Sequence, residues 1–296
     1  MQYEKLTACP VCAKEEFKNF MVVPDKSVSQ ESFVIVACEN CGFKFTNPRP
    51  SETDIGKYYA SEYYISHSNT NKGLTNKAYQ VVRSITVKQK VDLINKFAPQ
   101  KGRILDYGCG TGYFLAACQK NGWEVSGYEP NETAREYARG LLKKSIASDS
   151  LDNFEKESFT FITLWHVLEH IHTLNDTFDK LKGLLKPDGF ILIAVPNADS
   201  LDAKKYKENW AAYDVPRHLY HFTQPTMKRF IKKHKMEMVD ILPMKFDAYY
   251  VSLLSEKYKR GGNNYFQSIL TGFRSNIHAR KTTQDYSSLL YIARKK

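Results

Sequence analysis

Residues 104–114 read ILDYGCGTGYF, and three glycines at alternate positions follow directly behind a short apolar strand that ends in an aspartate. A second strand, WEVSGYEP (123–130), and a helical stretch, NETAREYARGLL (131–142), come next, with Pro130 predicted to start that helix. This alternation predicts an α/β, doubly wound sheet wrapped by helices, with ligands at the carboxyl ends of its strands. The glycine turn is therefore the expected ligand site.

Three kinds of ligand use a glycine turn at this position of a sheet. A phosphate-binding loop of the GxxxxGK[ST] type is excluded, because no lysine follows Gly112. A dinucleotide fingerprint needs GxGxxG, and the spacing here is one residue shorter. The pattern D-x-G-x-G-x-G, from Asp106 to Gly112, resembles motif I of the class I S-adenosylmethionine-dependent methyltransferases. In that family the glycines let the backbone pass close beneath the methionine part of the cofactor.

The resemblance continues through about residues 78–245. SFTFITLWHVLEHI (158–171) and LLKPDGFILIAVPN (184–197) look like the fourth strand with its helix, and the fifth strand, of the ubiquinone-biosynthesis-like subgroup. SIASDS (145–150) would be the third strand, and Thr160 stands where many relatives carry aspartate. The resemblance implies a Rossmann-like sheet with an antiparallel last strand. Glu129 would accept hydrogen bonds from both ribose hydroxyls.

The resemblance also implies a wider set of residues around S-adenosylmethionine, in which Ser148 or Asp149 lies against the adenine and Leu151 packs on its face. The expected cofactor-binding residues are Asp106, Gly108, Cys109, Gly110, Gly112, Glu129, Pro130, Ser148, Asp149, Leu151, Trp165 and His166.

Two histidines follow the fourth strand. His166 and His170 flank VLE and are predicted to lie on one helical face, where either could serve as a general base near neutral pH. In the alternative interpretation HVLEH is a fold signature, with one histidine lining the cofactor and Glu169 anchoring the loop.

The segment NWAAYDVPRHLYHFT (209–223) is a second polar and aromatic candidate, placed after the fifth strand where this fold has its active site. His218 and His221 are the preferred candidate bases. Arg217 is a candidate anchor for a substrate anion, with Tyr213 and Asp214 beside it. The alternative is a capping loop whose histidines and aspartate bond one another.

Four cysteines near the N-terminus form two CxxC pairs, 25 residues apart. Two such turns offer a zinc ion four thiolates in a tetrahedron, and four ligands without an open position indicate a structural site. The predicted zinc ligands are Cys9, Cys12, Cys38 and Cys41.

These motifs divide the chain into a zinc ribbon (1–50), a connector helix and loop (51–77, with Ser51 as a helix cap and a polar stretch at 66–76), and a methyltransferase domain (78–296). Within that domain a helical insert at about 246–285 separates the last two strands. It is predicted to be two helices joined at residues 260–264. The insert is basic and aromatic, so it covers a substrate pocket as a lid or rests on an anionic membrane surface.

The chain of 296 residues carries a net charge of +11, which suits an anionic partner. It has no run of 18 apolar residues and no apolar N-terminal leader, so we expect a cytoplasmic protein. The first hypothesis is methyl transfer to a small molecule, such as a sugar or a phosphate-linked metabolite. An RNA methyltransferase that uses the ribbon and the basic surface is the alternative, and a non-catalytic cofactor-binding partner protein is the third.

Overall fold

The computed structural model of the chain describes residues 2–59, 74–148 and 150–295, with side chains in the first helix described from residue 83 onward. Residues 66–73 of the predicted polar stretch therefore lie outside the described residues, as does the connector between residues 60 and 73, and residues 74–76 begin a helix. Ser51 does not cap an α-helix: a 3-10 segment, Ile55–Tyr59, follows it.

A central six-stranded sheet is built from residues 103–295, and four of its strands pair in parallel with one another. The order across the sheet is β11-β12-β9-β8-β6-β7, with β12 antiparallel to both of its neighbours. The doubly wound fold with an antiparallel last strand is thus confirmed. The strands are β6 (Arg103–Tyr107), β7 (Glu124–Tyr128), β8 (Phe159–Trp165), β9 (Leu185–Pro196), β11 (Met236–Pro243) and β12 (Ser288–Lys295).

Helices cover this sheet and join its strands. Asn131, rather than Pro130, caps the third helix by accepting a hydrogen bond from the backbone N–H of Ala134. The helices are α1 (Leu74–Phe97), α2 (Tyr113–Lys120), α3 (Glu132–Leu142), α4 (Leu174–Leu184), α5 (Leu201–Tyr206), α6 (Gln224–Lys233), α7 (Asp247–Arg260) and α8 (Tyr265–Lys281).

The prediction of a third strand at SIASDS is wrong for the described residues. Only a single parallel bridge forms there, between Tyr128 and Ala147. Serine, aspartate and lysine flank this bridge, and such residues favour turns over strands, so the pairing does not extend along the edge.

The N-terminal segment forms a small antiparallel sheet of its own, ordered β10-β4-β3-β2. One member comes from far along the chain: Tyr220 pairs with Phe45, and His221 pairs with Lys44. A short ladder between Tyr3–Glu4 and Arg49–Pro50 lies beside it. The strands are β1 (Tyr3–Glu4), β2 (Phe17–Pro24), β3 (Ser32–Cys38), β4 (Lys44–Thr46), β5 (Arg49–Pro50) and β10 (Tyr220–His221).

One continuous core joins this N-terminal sheet to the central sheet. Phe43 and Phe45 are fully buried, and the ring of Phe43 lies 5.9 Å from that of Tyr220 and 5.2 Å from that of Phe222. The same cluster of buried side chains includes residues of β8, β9 and α4. Because burying aromatic side chains is a main source of stability, the N-terminal sheet and the segment at 209–223 hold each other in place.

Candidate functional site: the carboxyl edge of the sheet

The glycine turn follows β6 directly and has the backbone geometry that requires glycine. Gly108 has φ +79°, and a Cβ there would lie 2.5 Å from Cγ2 of Val167. Before the turn, buried Asp106 accepts a hydrogen bond of 2.6 Å from the hydroxyl of Thr163 in β8. Burial raises the pKa of Asp106 to about 7 despite that hydrogen bond. Asp106 therefore fixes the base of the turn to the neighbouring strand.

Glu129, at the end of β7, faces the glycine turn. Its Oε2 accepts a hydrogen bond of 2.8 Å from the backbone N–H of Gly110, and its Oε1 accepts one of 2.9 Å from the N–H of Asn131. Burial raises the pKa of Glu129, and these hydrogen bonds work against the rise. Each carboxylate oxygen has a second lone pair to offer. The carboxylate is thus held beside the turn, where a diol can reach it.

The other residues predicted for the cofactor occupy varied surroundings. Cys109 and Leu151 are buried, Pro130 is exposed, and Ser148 is half-buried. Asp149 lies outside the described residues.

Trp165 ends β8, and its ring contacts Phe114 and Lys90, which the sequence did not predict as site residues. Phe114 meets its ring edge-on at 5.4 Å, and Lys90 of α1 holds its ammonium group 3.9 Å from the ring centroid. Burial lowers the pKa of Lys90, and the charges of Asp106 and Asp247 oppose that change. Lys90, near the glycine turn, is a candidate for binding an anionic group. The sequence did not predict this role, because Lys90 is one of several lysines in a long helix.

His166 does not share a helical face with His170, and that prediction is wrong. β8 ends at Trp165, His166 turns the chain with φ +56°, and only a short 3-10 segment, Leu168–His170, follows. Two carboxylates hold the imidazole: Glu169 Oε1 lies 3.3 Å from Nδ1, and Asp247 Oδ2 lies 3.1 Å from Nε2.

The charge state of His166 follows from those contacts. Burial disfavours the imidazolium, but the hydrogen bonds to Asp247 and Glu169 prevail and raise the pKa of His166 to about 10. A histidine that is protonated at neutral pH has no lone pair with which to remove a proton. The geometry therefore argues against His166 as a base.

His170, His218 and Glu169 form a cluster beneath the pocket described below. One ring nitrogen of each histidine and one carboxylate oxygen of Glu169 lie within 4.8 Å of one another. His218 Nδ1 is 2.9 Å from the carbonyl of Ala212, and His170 Nδ1 is 3.0 Å from that of Arg217. Since a carbonyl only accepts, both rings donate from Nδ1, and in its neutral form each ring has its lone pair on Nε2.

This cluster has two chemical possibilities. Oε2 of Glu169 is buried without a hydrogen-bond partner among the described atoms, so the three donors could hold a metal ion. Alternatively, Nε2 of His218 is available to accept a proton, and it lies 3.9 Å from Asp214 Oδ2. Burial lowers the pKa of His170 to about 4, which keeps that ring neutral, and a proton on His218 would lower it further.

Some of the site residues predicted in the segment at 209–223 line the pocket, and others do not. His218, Asp214 and Arg217 line the pocket. Tyr213 and His221 do not: Tyr213 is buried with its ring 5.3 Å from that of His221, and Nε2 of His221 lies 3.2 Å from the hydroxyl of Thr46. Burial lowers the pKa of His221 well below its ordinary value. His221 and Tyr213 thus belong to the packing of β10.

Arg217 is buried, and each of its three guanidinium nitrogens donates a hydrogen bond within the protein. Its Nε donates to Asp214 at 2.9 Å, its Nη1 donates to the carbonyl of Tyr58 at 2.7 Å, and its Nη2 donates to Ser27 at 2.8 Å. Asp25 lies 3.5 Å away. Arg217 therefore ties the segment at 209–223 to the N-terminal module (residues 2–50). Because its guanidinium is occupied by these contacts, the geometry argues against a role in anchoring a substrate anion.

A pocket of about 640 Å³ opens at the carboxyl edge of the sheet. Its lining comes from His166 and Pro196 at the sheet edge, from Ala212 and His218, and from α7. Lys26 and Ser27 of the N-terminal module also line it. The sequence did not single out seven of the lining residues, although the last four lie in the insert that was expected to cover a substrate pocket: Lys26, Ser27, Tyr58, Asp247, Tyr250, Lys257 and Tyr258.

The four N-terminal cysteines converge as predicted. The sulfurs of Cys9 and Cys41 are 3.6 Å apart, and those of Cys12 and Cys38 are 3.5 Å apart. Four thiolates at 2.3 Å from a tetrahedral zinc would be separated by about 3.8 Å. The geometry fits a Cys₄ metal site, and none of the four sulfurs forms a disulfide.

A family model described as a methyltransferase domain matches residues 82–241, more than half of the chain. The chain belongs to this methyltransferase family. It is a class I S-adenosylmethionine-dependent methyltransferase, and the glycine turn with Asp106 and Glu129 lies within the matched range. No helix in the described part of this methyltransferase is long and apolar enough to cross a membrane.

Individual proteins agree with the family. A ubiquinone biosynthesis O-methyltransferase of Actinobacillus pleuropneumoniae is 28% identical over 175 residues, which are 53% of this chain and 72% of that protein. Neither the family nor this relative points specifically to RNA.

Solved structures with low identity share the fold. The 1,6-didemethyltoxoflavin-N1-methyltransferase of Burkholderia thailandensis, with bound 1,6-didemethyltoxoflavin and S-adenosylhomocysteine, has a TM-score of 0.54 and 15% identity, covering 93% of this chain and 99% of that one. The magnesium protoporphyrin IX methyltransferase of Synechocystis PCC 6803, with bound S-adenosylhomocysteine, has a TM-score of 0.53 and 13% identity, covering 83% and 100%.

Proposed function

We propose that this methyltransferase transfers a methyl group to a small polar metabolite that carries an anionic group, such as a sugar or a phosphate-linked compound. The observation that carries the proposal is the 640 Å³ pocket at the carboxyl edge of the sheet, a size suited to a small molecule. Lys26 and Lys257 line it together with aromatic and aliphatic side chains of α7. The two lysines favour an anionic group, and Tyr250 and Tyr258 suit the flat or apolar part of a ligand.

The cofactor would lie on the glycine turn, as it does in the family that the sequence resembles. Asp106, Gly108, Cys109, Gly110 and Gly112 would line the methionine part. Glu129 would bind the ribose diol, Ser148 and Leu151 would meet the adenine, and Pro130 and Trp165 would border the site. We add Lys90 as a partner for the cofactor carboxylate, since its ammonium lies beside Trp165 and near Asp106.

His218 is the proposed general base. Its Nδ1–H donates to a backbone carbonyl, so its Nε2 lone pair is positioned at the wall of the pocket. His170 and Asp214 would orient it, and the His166–Asp247 pair would act as a charged partner for substrate rather than as a base. The methyl group of the cofactor is already activated, so alignment and removal of one proton are what the protein must supply.

The N-terminal module is proposed to hold a structural zinc ion through Cys9, Cys12, Cys38 and Cys41. The separations between its sulfurs suit tetrahedral coordination. The domain boundaries at residues 50 and 77 stay a proposal. The strand from residues 220–221 that completes the module's sheet supports a module that acts together with the catalytic part.

The test is transfer of isotope-labelled methyl groups from S-adenosylmethionine into fractions of a cell extract. We expect label in the fraction of small anionic metabolites, and mass spectrometry would then identify the product. Label that appears only in RNA would overturn the proposed substrate class. The variant His218→Gln supplies the control, because it should bind the cofactor and transfer about 10²–10⁴-fold less label.

A further inference from the structure

The last helix, α8, buries small and polar side chains and exposes large apolar ones, the reverse of an ordinary surface helix. The side chains that it buries are small or polar: Ser268, Thr271, Gly272, Ser275 and Ala279. A Cβ on Gly272 would lie 2.7 Å from the ring of Tyr249 in α7, and the hydroxyl of Ser275 donates to Asp202 at 2.7 Å. A close, hydrogen-bonded contact with α5 and α7 therefore uses the face that would normally carry large apolar residues.

The large apolar side chains of α8 point outward instead. Phe266 is 77% exposed, Ile269 61% and Phe273 53%, and Ile277 continues the line. Their spacing of three or four residues places them on a single helical face about three turns long. Tyr265 begins the same helix and is also exposed. Soluble proteins seldom expose a contiguous apolar stripe of this kind unless something covers it.

The charged side chains of α8 itself all have one sign. The sequence of α8 contains no Asp or Glu, while Arg274, Arg280 and Lys281 are exposed along it. Lys259, near the end of α7, adds another exposed cation at the tip of the helical pair. A second copy of the chain would bring like charges together, so the charge distribution disfavours self-association through this face.

We propose that the outward face of α8 docks this protein onto the surface of a membrane rich in anionic lipid. An interfacial helix lies in the plane of the membrane, with its apolar face among the acyl chains and its basic residues at the headgroups. Aromatic residues such as Tyr265 and Phe266 suit that boundary, and the arginines suit anionic headgroups. α7, which packs on α8, also lines the substrate pocket through Tyr250, Leu254 and Lys257.

Vesicle flotation tests the docking with the full-length, metal-loaded protein. Vesicles of phosphatidylcholine with about a third of phosphatidylglycerol should carry the protein to the top of the gradient, and vesicles of pure phosphatidylcholine should not. The double variant Phe266→Ser/Phe273→Ser should reduce the fraction bound at least about tenfold. Arg274→Gln/Lys281→Gln should reduce binding and make it less sensitive to salt.

The matched control is Phe20→Ser/Val22→Ser, which removes two exposed apolar side chains from β2, on the N-terminal sheet. It should bind vesicles as the unaltered chain does. Thermal unfolding of every variant would establish that it is folded. The inference would be overturned if folded protein floated with neither vesicle, or if the control lost binding as the α8 variant does. A dimer in sedimentation that Phe266→Ser/Phe273→Ser dissociates would also overturn it, since the covering surface would then be a second copy.

Discussion

Tyr220 pairs with Phe45 across an antiparallel ladder, so a strand from the segment after β9 completes the sheet that the two cysteine turns begin. Two residues before that strand, His218 lines the pocket. The position of the proposed base therefore depends on an N-terminal module that is 170 residues away in sequence.

Loss of the metal should disturb the pocket as well as the module. In Cys38→Ser we expect loss of bound zinc and of protease resistance, both in the module and in the segment at 209–223, because small metal sites supply folding free energy outright. Zinc by mass spectrometry and limited proteolysis would measure the two effects. The control is Cys118→Ser, which changes a buried thiol outside the cluster and should keep one zinc per chain. Cleavage confined to residues before 50 would contradict the coupling.

Arg217 should matter for stability. Arg217→Ala removes the buried cation beside Asp25 and Asp214, and breaking a buried ion pair costs about 3–5 kcal/mol. Urea unfolding would measure it. Lys88→Ala breaks the exposed pair with Asp92 and should cost no more than about 0.5 kcal/mol. Equal losses of unfolding free energy in the two variants would show that Arg217 does not hold the 209–223 segment to the N-terminal module.

The two histidines of the segment should separate in their effects. His218→Gln should lower methyl transfer by about 10²–10⁴-fold while cofactor affinity is kept, as expected for a lost general base. His221→Gln should lower the free energy of unfolding, because His221 is buried in β10 against Thr46. Methyl transfer by labelled cofactor and urea unfolding would distinguish them. Full activity in His218→Gln would refute the base assignment.

His166 should make stability depend on alkaline pH. A pKa raised from 6.5 to about 10 by Asp247 and Glu169 stabilises the folded chain fully below pH 6.5, and this contribution is lost as pH rises through about 10. The difference in unfolding free energy between the unaltered chain and His166→Gln should therefore shrink across that window. A difference that stayed constant with pH would mean that the imidazole is not held charged by its two carboxylates.

The fold and the local motifs could be predicted from sequence because each depends on residues that are close in the chain. The glycine turn, its acidic neighbour Asp106 and the CxxC turns are short patterns with a direct chemical reason. The helical insert was also placed correctly, with α7 and α8 joined at residues 260–264.

The contacts between distant segments could not be predicted in this way. Lys26, Tyr58 and Asp247 meet at one pocket only because the N-terminal sheet accepts β10 and α7 lies over the sheet edge. Likewise, the sequence shows that Arg217 and Asp214 are close. It does not show that Asp25 and the Tyr58 carbonyl already occupy the guanidinium. The contacts of Arg217 thus favour a structural role for this charged residue of the 209–223 segment.

The central claim is that the glycine turn with Glu129 binds S-adenosylmethionine, and calorimetric titration with S-adenosylhomocysteine tests it most directly. We predict one site per zinc-loaded chain with micromolar affinity. Glu129→Gln should weaken binding by about 10–100-fold through loss of charge-assisted hydrogen bonds, whereas Glu132→Gln, an exposed acid at the start of α3, should leave it unchanged. Absence of heat with folded, zinc-loaded protein would contradict the account.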